Sequence, residues 1–287
     1  MKEHWRSRAV SPADVVSLVG SGATLFLHGA CATPLPLVEA LCARRDLEGV
    51  RLYHLHTAGP APFAEPGRER EFRSVSLFTG APLRRAVNEG RADFVPIFLS
   101  DIPALFTSGR VRLDVAVLQV SPPDRHGMCS LGTSCDAAKA AAESARLVVA
   151  EINEQMPRTL GHSAVPFSRV DAFIHTNRPL HEHVADATSG TAAAIAEHVA
   201  PLVDDGATLQ MGIGAIPDAV LARLGNKHEL GVHTEMFSDG LIDLIEGGVV
   251  TNRRKSVHQG RTVTSFVLGT KRLYDFVHDN PFVEFHP

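Results

Sequence analysis

The chain has 287 residues, 44% of them hydrophobic and 21% charged, a balance that sustains a substantial core and excludes disorder or a simple repeat. The length suits two domains or one large α/β domain. With 28 basic against 32 acidic residues, the net charge is −4, which excludes a globally basic nucleic-acid surface. Aromatics at 6%, with one tryptophan, argue against a stacking platform for single strands.

Met1 to Arg6 carries charge with no apolar run behind it, unlike a secretory leader, and no segment approaches the roughly 18 apolar residues of a spanning helix. Four cysteines (Cys31, Cys42, Cys129, Cys135) form no C-x-x-C pair and are too sparse for a disulfide framework. A soluble, cytoplasmic protein is expected, with no membrane partner.

In chain order, Ser11-Pro12-Ala13-Asp14 predicts a helix start, with Ser11 as N-cap and proline in the first turn. Thr24 to Leu27 reads as a strand ending at His28-Gly29, and a helix is expected after Pro36. Further strands are predicted at Val50–His54, Phe94–Leu99, Val115–Val120, Leu147–Ile152 and Ala172–His175. Cys135 to Ala145 predicts a helix with Ser134 as N-cap. Apolar runs without clean alternation point to a parallel sheet covered on both faces, in an α/β fold. The polar stretch Arg178 to Asp186 reads as a boundary. After it come a strand at Ala207–Met211, a helix at Ile216–Leu224, a short strand at Gly231–His233, a helix at Asp239–Glu246 and a strand at Val263–Leu268. Pro281 to Pro287 reads as the beginning of another element.

In open α/β sheets ligands sit at the carboxyl ends of strands. Three segments fall there: Leu27-His28-Gly29-Ala30, Ser121 to Gly127, and Gln210-Met211-Gly212-Ile213-Gly214-Ala215-Ile216-Pro217. The glycines of the third let main-chain N–H groups approach an anion or oxyanion. Gly212-x-Gly214 also resembles the start of a dinucleotide fingerprint, but Pro217 stands where the third glycine belongs, so a tight turn without a ligand explains it equally well. Glu235, in His233-Thr234-Glu235-Met236-Phe237-Ser238-Asp239-Gly240, follows a short strand and precedes a helix that Ser238 or Asp239 would cap. Such a carboxylate is commonly just solvated. Flanked by Met236 and Phe237 and one βα unit after the glycine-rich turn, it could instead be partly desolvated and attack an activated acyl group. Fifteen histidines include His54-x-His56 and His181-Glu182-His183, but no zinc spacing occurs and no metal site is expected. Arg253-Arg254-Lys255 reads as solvated surface, or alternatively as a contact for a phosphorylated ligand.

On the stretches LHGACATP (27–34), VLQVSPPDRHGMCSLG (117–132), NEQMPRTLG (153–161), QMGIGAIPDAV (210–220) and HTEMFSDGLIDLIEGG (233–248), the chain resembles the acetyl-CoA hydrolase/transferase family, most of all its 4-hydroxybutyrate CoA-transferases. The resemblance implies two related CoA-transferase-type α/β domains with mainly parallel sheets: residues 1–185, and a second, incomplete domain at 186–287 that carries Glu235. It implies transfer of CoA between a short-chain acyl-CoA and a carboxylic acid, by a ping-pong cycle with Glu235 as nucleophile and a glutamyl-CoA thioester as intermediate. His28, Gln210, Gly212 and Gly214 are implied for substrate and oxyanion positioning, and Gly212, Ile213 and Gly214 for contact with CoA. CoA is then a substrate and no cofactor is needed. Alternatives are acyl-CoA hydrolysis at the same site, or a truncated non-catalytic acyl-CoA binder. Family members continue past the equivalent of Pro287 with a further glycine-rich CoA-binding segment. The unfinished second sheet would leave an open edge, so a homo-oligomer is expected.

Overall fold

A computed structural model describes residues 4–184 and 189–287. The chain forms two compact units, one of residues 1–158, 163–181 and 287, the other of residues 159–162 and 182–286. The boundary expected after residue 185 lies outside the described residues.

The first unit is built on a parallel sheet of seven strands in the order β10-β7-β5-β1-β2-β3-β4. These are β1 (Thr24–Leu27), β2 (Val50–Leu55), β3 (Phe72–Phe78), β4 (Ala92–Phe94), β5 (Val115–Val120), β7 (Leu147–Asn153) and β10 (Ala172–Thr176). A small antiparallel ribbon pairs β6 (Met128–Ser130) with β9 (Ala164–Pro166). The strands fan outward from β1 to β4, and the chain then returns to lay β5 on the other side of β1. That reversal makes the carboxyl ends of β1 and β5 the switch point where a doubly wound sheet opens a crevice.

Every residue of β5 is buried, as a strand covered on both faces requires. On one face Val15 and Val16 of α1 (Pro12–Val16) and Leu37, Val38 and Leu41 of α2 (Leu35–Ala43) join Leu25, Leu27 and Leu52 in one core. Elsewhere Phe26 meets Phe106 of α4 (Ile102–Thr107) edge-on at 5.6 Å. Five buried alanines of α5 (Asp136–Ser144) let that helix pack closely. Helix α3 (Ala81–Asn88) and strand β3 have no counterpart in the sequence reading.

Ser11 caps α1 as expected: its hydroxyl accepts from Asp14 N–H, and the Asp14 carboxylate accepts from Ser11 N–H. Ser134 does not cap α5. Cys135 holds that position, and the Ser134 hydroxyl donates instead to Asp136 at 2.7 Å. The strand expected at Phe94–Leu99 stops at Phe94, because Val95 makes the last ladder bond, to Ser76, and Pro96 has no N–H to continue.

The second unit contains β8 (Leu160–Gly161), β11 (Thr208–Leu209), β12 (Gly231–Val232), β13 (Met236–Phe237), β14 (Thr262–Thr264), β15 (Phe266–Val267) and β16 (Val283–Phe285). The parallel pair β11-β12 and the three-stranded parallel sheet β14-β16-β8 are linked by a bridge between His233 and Val263. The strand expected at Val263–Leu268 is divided at Ser265 into β14 and β15, and β15 pairs with β13. Helices are α6 (Gly190–Val199, capped by the Ser189 hydroxyl), α7 (Ala215–Leu221), α8 (Gly240–Glu246) and α9 (Lys271–Val277). Ala192 and Ala196 of α6 pack on Ala219 of α7. The closing residues form β16, the further element expected there. No helix among the described residues is long and apolar enough to cross a membrane.

Candidate functional site

In the first unit the switch point is filled by side chains that satisfy one another. The His28 ring is fully buried. Its Nδ1 accepts from the Gln119 N–H at 3.2 Å, and its Nε2 lies 2.7 Å from the Ser134 carbonyl. One neutral tautomer, protonated at Nε2, meets both contacts. Burial pushes its pKa down, against the opposing pull of the Ser134 carbonyl and of Asp136. The role expected of His28, touching substrate or an oxyanion, is therefore not met: both nitrogens already serve the main chain.

Around it, Gln119 Nε2 donates to the Thr33 carbonyl and Gln119 Oε1 accepts from Asn153. Glu151, also fully buried, holds Arg178 through two bonds of 2.7 and 2.9 Å and takes a third from Thr176. Gly29 is required beside His28, since a Cβ there would stand 2.1 Å from the Leu55 carbonyl oxygen. Two non-glycine residues at this rim, Ala30 (φ 47°) and His56 (φ 48°), adopt left-handed backbone, and the Ala30 N–H donates to the His56 carbonyl at 2.8 Å. Backbone strain of this kind collects at working sites. No local sequence signal marks it, because neither residue is a turn former.

His54 of the His54-x-His56 pair is buried between Ser74 Oγ (2.8 Å) and Thr57 Oγ1 (2.9 Å), and burial lowers its pKa to about 4. In the Ser121 to Gly127 segment, Asp124 accepts from the N–H groups of His126 and Met128 and from Arg158. These bonds, that from Met128 foremost, hold its pKa at about 2. Asp124 thus builds the turn and is a structural residue.

In the second unit the glycine-rich turn and the Glu235 strand lie side by side. The Thr234 hydroxyl accepts from the Met211 N–H at 2.9 Å and donates to the Met236 carbonyl at 2.8 Å, stapling the two segments. Beyond them, Ser238 donates to Asp218 of α7 at 2.5 Å. Thr234 carries no signal in sequence, standing as one of three consecutive polar residues, and only the fold shows it buried between two exposed neighbours.

Glu235 lies in the break between β12 and β13. Its carbonyl accepts from Ser265 N–H (2.9 Å), Phe266 N–H (3.1 Å) and Thr264 Oγ1 (3.1 Å), which fixes its backbone and causes the division of the partner strand. Met236 and Phe237 are buried, but Glu235 itself is exposed, as is His233 two residues earlier. The partial desolvation expected of Glu235 is therefore not found: Met236 and Phe237 are themselves buried, and their burial does not extend to the glutamate.

Gly212, Ile213 and Gly214 are exposed, and Gly214 has φ 125°, backbone that favours glycine. None of their main-chain N–H groups donates to another group among the described residues. Gln210 is exposed and donates to the neighbouring Met211 carbonyl at 2.9 Å. Turn and glutamate thus present main-chain donors and a carboxylate from adjoining segments of one unit.

Asp239 sits at the start of α8 but caps nothing; its carboxylate takes Thr270 N–H (2.9 Å) and Oγ1 (2.6 Å). In the basic run, Lys255 is buried and not solvated. Its Nζ donates to the carbonyls of Val232 (2.7 Å) and Arg261 (2.6 Å), and burial lowers its pKa. It braces the strand that leads to Glu235 and is not available to a phosphorylated ligand.

Residues 1–182 match the acetyl-CoA hydrolase/transferase N-terminal domain. The chain is 47% identical over 275 residues to a succinyl-CoA:acetate/propanoyl-CoA:succinate CoA transferase of Fasciola hepatica, covering 94% of this chain and 57% of that protein. It is 44% identical over 284 residues to a 4-hydroxybutyrate coenzyme A transferase of Clostridium kluyveri, covering 99% and 66%. Among solved structures, RipA from Yersinia pestis matches with a TM-score of 0.91 at 33% identity, over 98% of this chain and 68% of that one. A 4-hydroxybutyrate CoA-transferase from Porphyromonas gingivalis matches with a TM-score of 0.84 at 36% identity, over 99% and 68%. The chain therefore spans between half and two thirds of the length of these two curated relatives.

Proposed function

Because the chain belongs to the acetyl-CoA hydrolase/transferase family, we propose that it carries out transfer of CoA between a short-chain acyl-CoA and a small carboxylic acid, with Glu235 as covalent nucleophile. The observation that carries this reading is the Thr234 staple, which sets a backbone-fixed, exposed carboxylate on a segment beside a turn whose N–H groups donate to nothing among the described residues. The named activities of the relatives support it.

In this scheme a Glu235 oxygen attacks the thioester carbonyl, and the tetrahedral oxyanion collapses with loss of CoA thiolate to leave a mixed anhydride. The thiolate then attacks the glutamyl carbonyl, expelling the first acid as its carboxylate and forming a glutamyl-CoA thioester. A second carboxylate displaces the thiolate from that thioester to give a new anhydride. The thiolate finally attacks the new acyl carbonyl, releasing acyl-CoA and restoring Glu235. Each intermediate stays activated, so the thioester's free energy passes to the acceptor. Main-chain N–H groups of Gly212 to Gly214 are suited to the oxyanion, where one donor is worth about 10²–10³ in rate. Gln210 stands beside them, and Ile213 offers an apolar contact to CoA. CoA acts as substrate, and no step calls on a cofactor. A homo-oligomer in the cytoplasm belongs to the same proposal.

A second reading, hydrolysis, is favoured by one observation: Glu235 is exposed, so water can reach a glutamyl intermediate. A product assay decides between them. Transfer requires a carboxylate acceptor and yields new acyl-CoA in proportion to it, whereas hydrolysis yields free CoA at the same rate with or without the acid.

A further inference from the structure

The second unit gathers histidines that no sequence spacing joins. Glu284 and His286 stand two apart on and just past β16, so their side chains share a face, while Val283 and Phe285 are buried on the other. His258 comes from the loop that precedes β14, held there in left-handed backbone (φ 50°). Glu284 Oε2 lies 3.3 Å from His258 Nδ1 and 3.2 Å from His286 Nε2, and one ligand atom from each of the three residues falls within 4.8 Å of the others. The His162 ring adjoins His286 at 4.6 Å between centroids, and the His233 ring adjoins His258 at 5.8 Å.

From these distances we infer that His258, Glu284 and His286 form a binding site for one divalent cation of the Zn²⁺ class. Two ligands about 2.1 Å from a tetrahedral ion stand about 3.4 Å apart, and both carboxylate–imidazole distances are already close to that value. Two imidazole nitrogens and one carboxylate oxygen are a borderline donor set that suits Zn²⁺ or Co²⁺ over Mg²⁺ or Ca²⁺. The second carboxylate oxygen, Oε1, has the Arg261 guanidinium 3.5 Å away, which orients the carboxylate and leaves Oε2 for the ion. Three protein ligands leave a fourth position for water. The ion would clamp the loop before β14 to the end of β16. It would lie next to His233, which is exposed in the same segment after β12 as Glu235, two residues before it. The absence of a metal site expected from linear spacing gives way here to a set assembled by the sheet.

The test is metal binding by the metal-free 287-residue chain, independent of any turnover. Titration with Co²⁺ should develop the visible absorption of a low-coordinate, histidine-ligated ion to one equivalent per chain, and Zn²⁺ should displace it. His258→Ala and His286→Ala should each weaken Co²⁺ binding at least about tenfold, the smaller end of what losing even an outer-shell partner costs. Glu284→Gln keeps the side chain's shape and should weaken it likewise, which retains a test should a histidine variant fail to fold. His198→Ala, exposed on α6, should leave binding unchanged. One-equivalent binding that survives both histidine substitutions overturns the site. So does an unsubstituted chain that binds no more tightly than the His258→Ala/His286→Ala double variant.

Discussion

At the end of β1, His28 is fully buried, with both ring nitrogens on the main chain of Gln119 and Ser134. Beyond the end of β12, Glu235 is exposed, and its carbonyl is tied down by Ser265, Phe266 and Thr264. Both residues follow parallel strands, in segments that the family resemblance marks alike, yet their side chains are used in opposite ways. The first unit spends its polar groups on one another, so His28, Gln119, Glu151 and Asn153 form a saturated layer. The second fixes the backbone through Thr234 and leaves the carboxylate outside. A strand-end polar residue becomes a candidate for chemistry when its main chain is fixed while its functional group stays exposed.

That contrast can be broken most sharply at Glu235. Glu235→Gln should lower transfer by about 10⁴-fold or more, as loss of a covalent nucleophile does, with thermal stability unchanged because the side chain is exposed. In the first unit the signs reverse. Glu151→Ala strips Arg178 of its buried partner and should cost about 3 kcal/mol in urea unfolding. Gly29→Ala drives a Cβ toward the Leu55 carbonyl and should cost about 1–3 kcal/mol by the same measurement. His54, held neutral with a pKa of about 4 against 6.5 when unfolded, contributes stability that is present above pH 6.5. Falling pH protonates the unfolded chain first, so that stability should decline from pH 6.5 toward 4, and His54→Gln should flatten the decline. Smallest of all, Asp275→Ala removes the exposed Lys271–Asp275 pair within α9 and should change stability by no more than about 0.5 kcal/mol.

Much of the first unit was legible in sequence, because β1, β2, β5, β7 and β10 are apolar runs and α1 carries a complete capping box. What failed there had a local cause in one case and a partly distant one in the other. Phe94–Leu99 is broken by Pro96, and Ser134 exchanges its capping role for Asp136, with its carbonyl taken by His28. The second unit was harder, since its strands are two or three residues long and owe their order to partners far along the chain. Glu235 was legible as a residue but its exposure was not. Lys255 read as surface because three adjacent cations look solvated, whereas two carbonyls buried beside it draw it inward. The His258, Glu284 and His286 group was invisible for the same reason, being brought together only by pairing of β14 with β16.

Peptide mapping examines the covalent role of Glu235 at the residue itself. A preparation that transfers CoA is quenched during turnover with an acyl-CoA and mapped by mass spectrometry, with and without borohydride. A covalent Glu235 gives a CoA adduct on the peptide containing it, conversion of that residue to the alcohol by borohydride, and loss of both in Glu235→Ala. A protein that turns over with Glu235 unmodified, or with the adduct on another residue, would contradict it.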